Sequence, residues 1–389
     1  MTDLLEAMPR HPIYDEDSET IRDQIRRFCA TEIEPHGEAW EEAGTFPREL
    51  YAKAGEAGIL GLGFPEEYGG AGGGIAYYCL AREELAASGF AGVRASLMAH
   101  GIGLPPVLAL GSEDLKHRIA PEVLSGDKII ALAISEPDAG SDVANIKTKA
   151  RLDGNRYLVS GEKAFITNGV RADYITVAVR TGGGGMAGIS LMVMETDAPG
   201  LTRTNMKKSG WWPSDTGLLH FDDVPVPAEN LLGEENGGFK GIMNNFNLER
   251  LGIAATLIGV SRVCYEEAVG YAHQRRTFGK LLAEHQVVRH KLVDMKTRLA
   301  AMEAMTDTLI WRVMNGDPSI AEIAMLKAFC GAQHEWIAAE AAQVFGGASV
   351  LRGHKVERIF RESKILSIGG GSSEVMKDLA SRQLGWEAF

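Results

Sequence analysis

The feature that most constrains this chain is a double change of texture. Helical periodicity gives way near residue 128 to short β-branched runs, and returns near residue 238. Before the first change, IRDQIRRFCATEI (21–33) and AYYCLAREELAAS (76–88) place apolar residues three and four apart, the one-face pattern of packed helices. The glycine-rich GFPEEYGGAGGGI (63–75) separates them as a loop; it follows no strand and lacks the lysine-serine ending of a phosphate loop. The middle block holds ALAIS, RYLVSG, DYITVAV, ISLMVME and LLHF, runs of strand length bounded by Gly, Asp and Asn. Asp153-Gly154-Asn155 predicts a hairpin between two of them. Beyond VPVPAENLLGEENGGF (224–239) the helical pattern resumes, with Ile253, Leu257 and Val260 on one face and Val288, Leu292, Met295, Leu299 and Met302 on another. An alanine-rich helix follows over 318–345, up to Gly346-Gly347.

The blocks divide the chain into a helical domain (1–127), an antiparallel β domain with no sign of a nucleotide-binding parallel sheet (128–237) and a helical bundle (238–389). This is a multidomain α+β architecture without repeats. A length of 389 residues suits two or three domains.

Composition narrows the function. A net charge of -12 leaves no basic face to dominate the field, which argues against a nucleic-acid partner. No apolar run is long enough to insert in a membrane. The acidic start has neither a signal nor a transit pattern, so a cytoplasmic location is expected. Cys29, Cys79, Cys264 and Cys330 are far apart, the usage of a reducing compartment. Neither HExxH nor GxSxG occurs and no cluster has metal-ligand spacing, so no metal is expected.

Four longer stretches carry chemistry together: LAISEPDAGSDVANIKTKA (132–150), GEKAFITNG (161–169), RRTFGKLLAEHQ (275–286) and QVFGGASVLRGHKVERIFRESKI (343–365). In kind and order they resemble the acyl-CoA dehydrogenases, and the likeness spans nearly the whole chain. The resemblance implies a helical N-domain, a β middle domain and a C-terminal four-helix bundle. It implies FAD held between the last two, and an acyl-CoA substrate dehydrogenated to the 2,3-enoyl-CoA. Electrons pass in such enzymes to an electron-transferring flavoprotein, and the assembly is a homotetramer, a dimer of dimers.

Residue by residue, the resemblance places Leu132, Ala133, Ile134, Ser135, Gly140 and Ser141 along the flavin and the CoA side. Phe165, Ile166 and Thr167 belong to the opposite face of the ring, with Phe165 where many relatives carry Trp. Arg275, Thr277, Phe278, Gln286, Gln343 and Gly347 match positions that reach the FAD of a neighbouring subunit, Arg275 suiting the pyrophosphate. Ser372 and Glu374 match positions at the adenosine half. Ser141, Asn247 and Arg250 match substrate contacts, although relatives often carry Asp where Asn247 stands.

One motif departs from the common pattern. In SIGGGSSEV (367–375), Gly370 stands where many relatives have the glutamate that acts as catalytic base. The isovaleryl-CoA and long-chain types also lack that carboxylate and carry a Glu in a Leu-Glu-Arg triplet on a helix across the pocket. NFNLERLGIA (245–254) puts Glu249 on that position. Glu249 is then the expected base, and the Gly370 N–H the expected donor to the thioester carbonyl. Gly369, in place of a tyrosine, leaves room beside C3 for a methyl branch. An acyl-CoA oxidase, or a silent homologue that binds acyl-CoA or FAD, is the alternative.

Overall fold

The computed structural model describes residues 11–386. The N-terminal part is built of α1 (Glu16–Phe28), α2 (Gly37–Ala43), α3 (Glu49–Glu56), α4 (Gly74–Ala87), α5 (Ala91–Leu97), α6 (His100–Gly103), α7 (Pro105–Leu110) and α8 (Glu113–Leu124). Helix α1 starts where a capping box can form: Asp15 accepts from the Ser18 amide at 2.8 Å, and Ser18 Oγ accepts from the Asp15 amide at 3.2 Å.

Strands β1 (Ile130–Ala133), β2 (Lys149–Asp153), β3 (Arg156–Thr167), β4 (Tyr174–Arg180), β5 (Ile189–Glu195), β6 (Leu201–Asn205), β7 (Thr216–Pro227) and β8 (Leu231–Leu232) form one sheet in the order β6-β7-β3-β2-β4-β5-β8. The expected hairpin joins β2 to β3, with Asp153 opposite Arg156 and Gly154 at φ 66° as the first of two turn residues. The sheet is not purely antiparallel, because β1 runs parallel to β4 from Ile130↔Tyr174 to Ala133↔Val177. A parallel pair needs a long crossover, which the β2–β3 hairpin supplies here.

The C-terminal part consists of α9 (Gly238–Gln274), the two-residue strands β9 (Arg276–Thr277) and β10 (Lys280–Leu281), α10 (Gln286–Met314), α11 (Ile320–Phe345), α12 (Lys355–Glu362), α13 (Ile365–Ile368) and α14 (Ser373–Gln383). Ile253, Leu257 and Val260 are buried as their spacing predicts, and so are Leu292, Met295, Leu299 and Met302; Val288 is half-buried. Helix α11 has one glycine the alanine-rich run does not set apart, Gly331. A Cβ there would come within 3.0 Å of Ser367 Oγ, so the glycine lets the segment before the C-terminal glycine loop lie against the helix.

One core cluster joins α4, α9, α10 and α11 to the edge of the sheet, and a second joins α1 and α3 to its other face. Buried polar contacts fix the seam. Asn168, at φ 60° just after β3, donates to Ser96 O at 2.9 Å and accepts from Tyr51 Oη at 3.2 Å. Among the described residues, no single helix is long and apolar enough to cross a membrane.

Candidate active site

Glu249 sits on α9 and faces the glycine loop that follows α13. Gly370 has φ 69° and Gly371 φ 112°, backbone that L side chains rarely adopt, so glycine is needed at both. A Cβ on Gly370 would overlap Ile253 Cδ1 and lie 3.7 Å from Glu249 Oε1. The space that a side chain at 370 would enter is therefore already bordered by the Glu249 carboxylate. Gly369 has ordinary extended backbone and is exposed, but a Cβ there would come within 3.3 Å of the Ile365 carbonyl oxygen.

The simplest competing role for Glu249, pairing with the next residue, is not adopted. Arg250 turns away to donate from Nη1 to Asn247 Oδ1 at 3.0 Å and from Nε to Gly370 O at 3.4 Å. The Gly370 carbonyl is thus held, while its N–H meets no acceptor among the described residues and is available to a ligand. Lys327, buried on α11, anchors the loop by donating to Ser367 O at 3.0 Å and to Gly371 O. Burial pushes the Glu249 carboxyl above its ordinary range, and the charges of Arg82, Arg250, Lys327 and Arg94 oppose the shift without cancelling it. Burial and the Arg250 charge bring the Lys327 ammonium down to about 8.

The segment after β1 is held by a buried ion pair. Lys163 is fully buried and donates to Ile134 O at 2.7 Å and to Glu136 Oε1 at 2.9 Å. Glu136 also accepts from the amides of Lys147 at 2.6 Å and Thr148 at 2.9 Å. Burial would raise Glu136, but Lys163 and these donors hold it below the usual carboxylate value. The pair closes the loop that carries Ser135, half-buried, and Gly140 and Ser141, both exposed. Leu132 is half-buried, whereas the side chains of Ala133 and Ile134 belong to the core. Those two can offer a ligand only backbone, and the Ile134 carbonyl is already engaged by Lys163.

Phe165 stands at a register shift in the β3–β7 pairing, with φ 62° and its ring 66% exposed. Neighbouring Ile166 points into the core, so its side chain does not share that face; Thr167 is half-buried. An aromatic residue in the left-handed region with its ring open costs energy that a planar aromatic ligand stacked on it would offset. The bulged Phe165, the open Gly370 amide and the pinned loop after β1 fit a flavin.

The remaining expected flavin residues lie elsewhere. Arg275 caps α9 at its far end, 26 residues beyond Glu249 on the same helix, or about 39 Å along its axis. A tight hairpin follows, its turn formed by Phe278 (φ 52°) and Gly279 (φ 77°), with the Phe278 ring 96% exposed. Gln286 opens α10 and is exposed, and Thr277 is half-buried. Tyr271 stacks on Phe345 with centroids 4.3 Å apart, which brings Gln343 and Gly347, at the end of α11, to the same end of the bundle. Ser372 caps α14 by accepting from the Val375 amide at 3.4 Å, and exposed Glu374 lies in the first turn of that helix.

Sequence reasoning missed Lys163, Glu136, Lys327 and the pair Arg82 and Arg94, all of which shape the site. A lysine at an inward position of an otherwise apolar strand was the one readable signal, since such a residue needs a buried partner.

The models of the acyl-CoA dehydrogenase N-terminal, middle and C-terminal domains match residues 15–127, 131–224 and 236–385. An acyl-CoA dehydrogenase of Bacillus subtilis is 37% identical over 367 residues, covering 94% of this chain and 97% of its own. The mitochondrial isovaleryl-CoA dehydrogenase of Oryza sativa subsp. japonica is 34% identical over 378 residues, 96% of this chain and 92% of its own. Among solved structures, a putative acyl-CoA dehydrogenase from Mycobacterium smegmatis superposes with a TM-score of 0.95 at 40% identity, covering 96% of this chain and 99% of that one. A glutaryl-CoA dehydrogenase from the same organism, in complex with FADH2, gives 0.91 at 29% identity, covering 97% and 96%.

Proposed function

The chain belongs to the acyl-CoA dehydrogenase family of FAD-dependent oxidoreductases, and on that premise we propose that it converts an acyl-CoA to the trans-2-enoyl-CoA with Glu249 as the base. FAD, when bound, supplies the acceptor for the hydride that leaves C3. The residues suited to hold it are Leu132 and Ser135, the backbone of Ala133 and Ile134, Gly140, Ser141, Phe165 and Thr167. From a second subunit, Arg275, Thr277, Phe278, Gln286, Gln343 and Gly347 complete the set. Ser372 and Glu374 lie towards the adenosine half.

The chain's own work is on the proton and the carbonyl. The hydrogen on C2 of a thioester is weakly acidic, so it needs a base placed close by and a donor that receives charge on the carbonyl oxygen. Glu249 is a carboxylate in a drying environment, with its basicity raised by burial. The open N–H of Gly370, across the gap from Glu249, is the donor. The observation that supports the reading is the 3.7 Å between the Glu249 carboxylate and the Cβ position of Gly370, so the carboxylate borders the space that a side chain at 370 would enter. Ser141, Asn247 and Arg250 lie towards the CoA side. Reducing equivalents pass to an electron-transferring flavoprotein, and the working unit is a dimer of dimers in the cytoplasm.

The test is anaerobic mixing of the FAD-loaded protein with acyl-CoA thioesters while flavin absorbance is followed. Wild type should bleach, and Glu249→Gln should keep its FAD yet bleach about 10²–10⁴-fold more slowly. Equal bleaching by both proteins removes Glu249 from the role. Rapid oxygen consumption without another acceptor would mark an oxidase instead.

A further inference from the structure

The glycine loop that offers the Gly370 N–H has no side chain of its own to keep that N–H in place. Gly369 has φ -60° and ψ 145°, and Gly370 follows at φ 69°. These are the corner dihedrals of a type II turn. Type II and type I turns differ by rotation of the peptide between the two corner residues, here the peptide that carries the Gly370 N–H. Glycine takes either sign of φ at little cost, so nothing local at Gly370 forbids the rotated form, in which the N–H faces the opposite way. The orientation has to come from whatever holds the ends of the turn.

One side chain holds both ends. Lys327 on α11 is fully buried and donates to Ser367 O, ahead of the turn, at 3.0 Å and to Gly371 O, at its end. On the same face of α11, one turn further along, Gly331 lets Ser367 lie against the helix, since a Cβ there would come within 3.0 Å of Ser367 Oγ. Two further contacts support the clasp. The Gly369 N–H donates to Ile365 O at 2.8 Å and fixes where the turn starts, and Arg250 Nε reaches Gly370 O at 3.4 Å. Among the described residues, the acceptors of Lys327 are its two loop carbonyls and no carboxylate. A buried ammonium served by neutral acceptors is costly, and losing either carbonyl leaves the charge with one partner fewer. Its bonds are charge-assisted and roughly twice as strong as neutral ones, so the clasp resists rotation of the turn between them.

We propose that Lys327 is a positioning residue for the reaction: by clasping Ser367 O and Gly371 O it keeps the Gly369-Gly370 peptide in the orientation that presents its N–H to the thioester carbonyl. This role rests on the acyl-CoA reading above and adds to it the group that aims the carbonyl donor. Lys327 itself makes no bond to the substrate and acts through Gly370.

Ligands with and without the carbonyl separate this role from a merely structural one. FAD-loaded Glu249→Gln protein, which holds ligand without turning it over, is titrated calorimetrically with an acyl-CoA thioester. The S-alkyl-CoA thioether of the same length, which lacks the carbonyl oxygen, is titrated alongside. The infrared stretch of the isotope-labelled thioester carbonyl is recorded on the same protein. Adding Lys327→Met should weaken the thioester about threefold to tenfold, the scale of one hydrogen bond, and leave the thioether Kd within about twofold. The bound carbonyl stretch should rise at the same time, as its donor turns away. Lys327→Arg, which can still donate to both carbonyls, should recover part of each change. With Glu249 intact, Lys327→Met should slow flavin bleaching about 10²-fold, the scale of one lost carbonyl donor. If Lys327→Met does not hold FAD, Lys327→Gln, too short to clasp both carbonyls, is read by the same criteria. Thioester and thioether weakened alike would give Lys327 a general structural role and overturn the proposal. An unchanged thioester Kd and carbonyl stretch would overturn it too, and both results leave the dehydrogenase reading standing. A parent protein that binds no thioester, or whose bound carbonyl stretches as in an apolar solvent, overturns the reading on which the proposal rests.

Discussion

At the scale of single residues the site turns on an exchange between two positions. Glu249 reaches the gap that Gly370 leaves, and the exchange is locked by backbone and packing as well as by chemistry. Gly370 at φ 69° tolerates a side chain at a cost of about 1–2 kcal/mol, and any Cβ there also displaces Ile253. Moving the base back in the double variant Glu249→Gln/Gly370→Glu should therefore yield a less stable protein with no recovery of activity. Trimming Ile253→Ala in addition should recover part of it, measured as anaerobic flavin bleaching; full recovery in the double variant alone would show that the loop is not constrained. The pH profile follows from the same burial. Glu249 in its proposed role works ionised, and burial raises its pKa above the ordinary 4.5, so activity should fall with acid through a limb centred above that value. A limb at or below 4.5 in kcat against pH would mean that Glu249 is not desolvated.

The elements show why some of this was legible in the sequence and some was not. Helix faces such as Ile253, Leu257 and Val260, and the Gly154 hairpin, are local patterns whose partners lie within a few residues, so periodicity and turn chemistry report them. The Glu249–Gly370 exchange was legible only through resemblance, since 121 residues separate the two and no local rule links them. The parallel β1–β4 pair and the Lys163–Glu136 bridge stayed hidden for a related reason: each is a tertiary pairing made by a crossover. Lys163 nonetheless gives the β1–β3 layer its firmest prediction. It is fully buried, its ammonium is brought down to about 8 mainly by burial, and it holds both Ile134 and Glu136. Lys163→Met strands Glu136 inside the protein and should cost about 3 kcal/mol. The loop bearing Ser135, Gly140 and Ser141 then loosens, so FAD should be lost more readily on gel filtration. A variant with unchanged Tm and unchanged flavin content would show that the bridge supports neither.

For the whole molecule, the question is how the residues proposed for one cofactor can lie at two ends of one helix. The cleft at Glu249 and the patch at Arg275 and Phe278 are about 39 Å apart along α9, too far for one chain to close both around a single flavin edge. The proposed second copy, bringing its patch to the first copy's cleft, would resolve this and would also cover the Phe278 ring, held in a strained turn and 96% exposed on a single chain. Shared sites make a prediction that separate sites cannot. A chain with Glu249→Gln has an inert cleft, and a chain with Arg275→Glu and Phe278→Gly has an inert patch; each alone should be inactive. Co-expressed, they form mixed pairs in which one site combines the sound cleft of the second chain with the sound patch of the first. With random pairing about a quarter of all sites are then intact, and activity should return to roughly that fraction of wild type. If the patch instead served the cleft of its own chain, every site would carry a lesion and mixing would restore nothing above the parents.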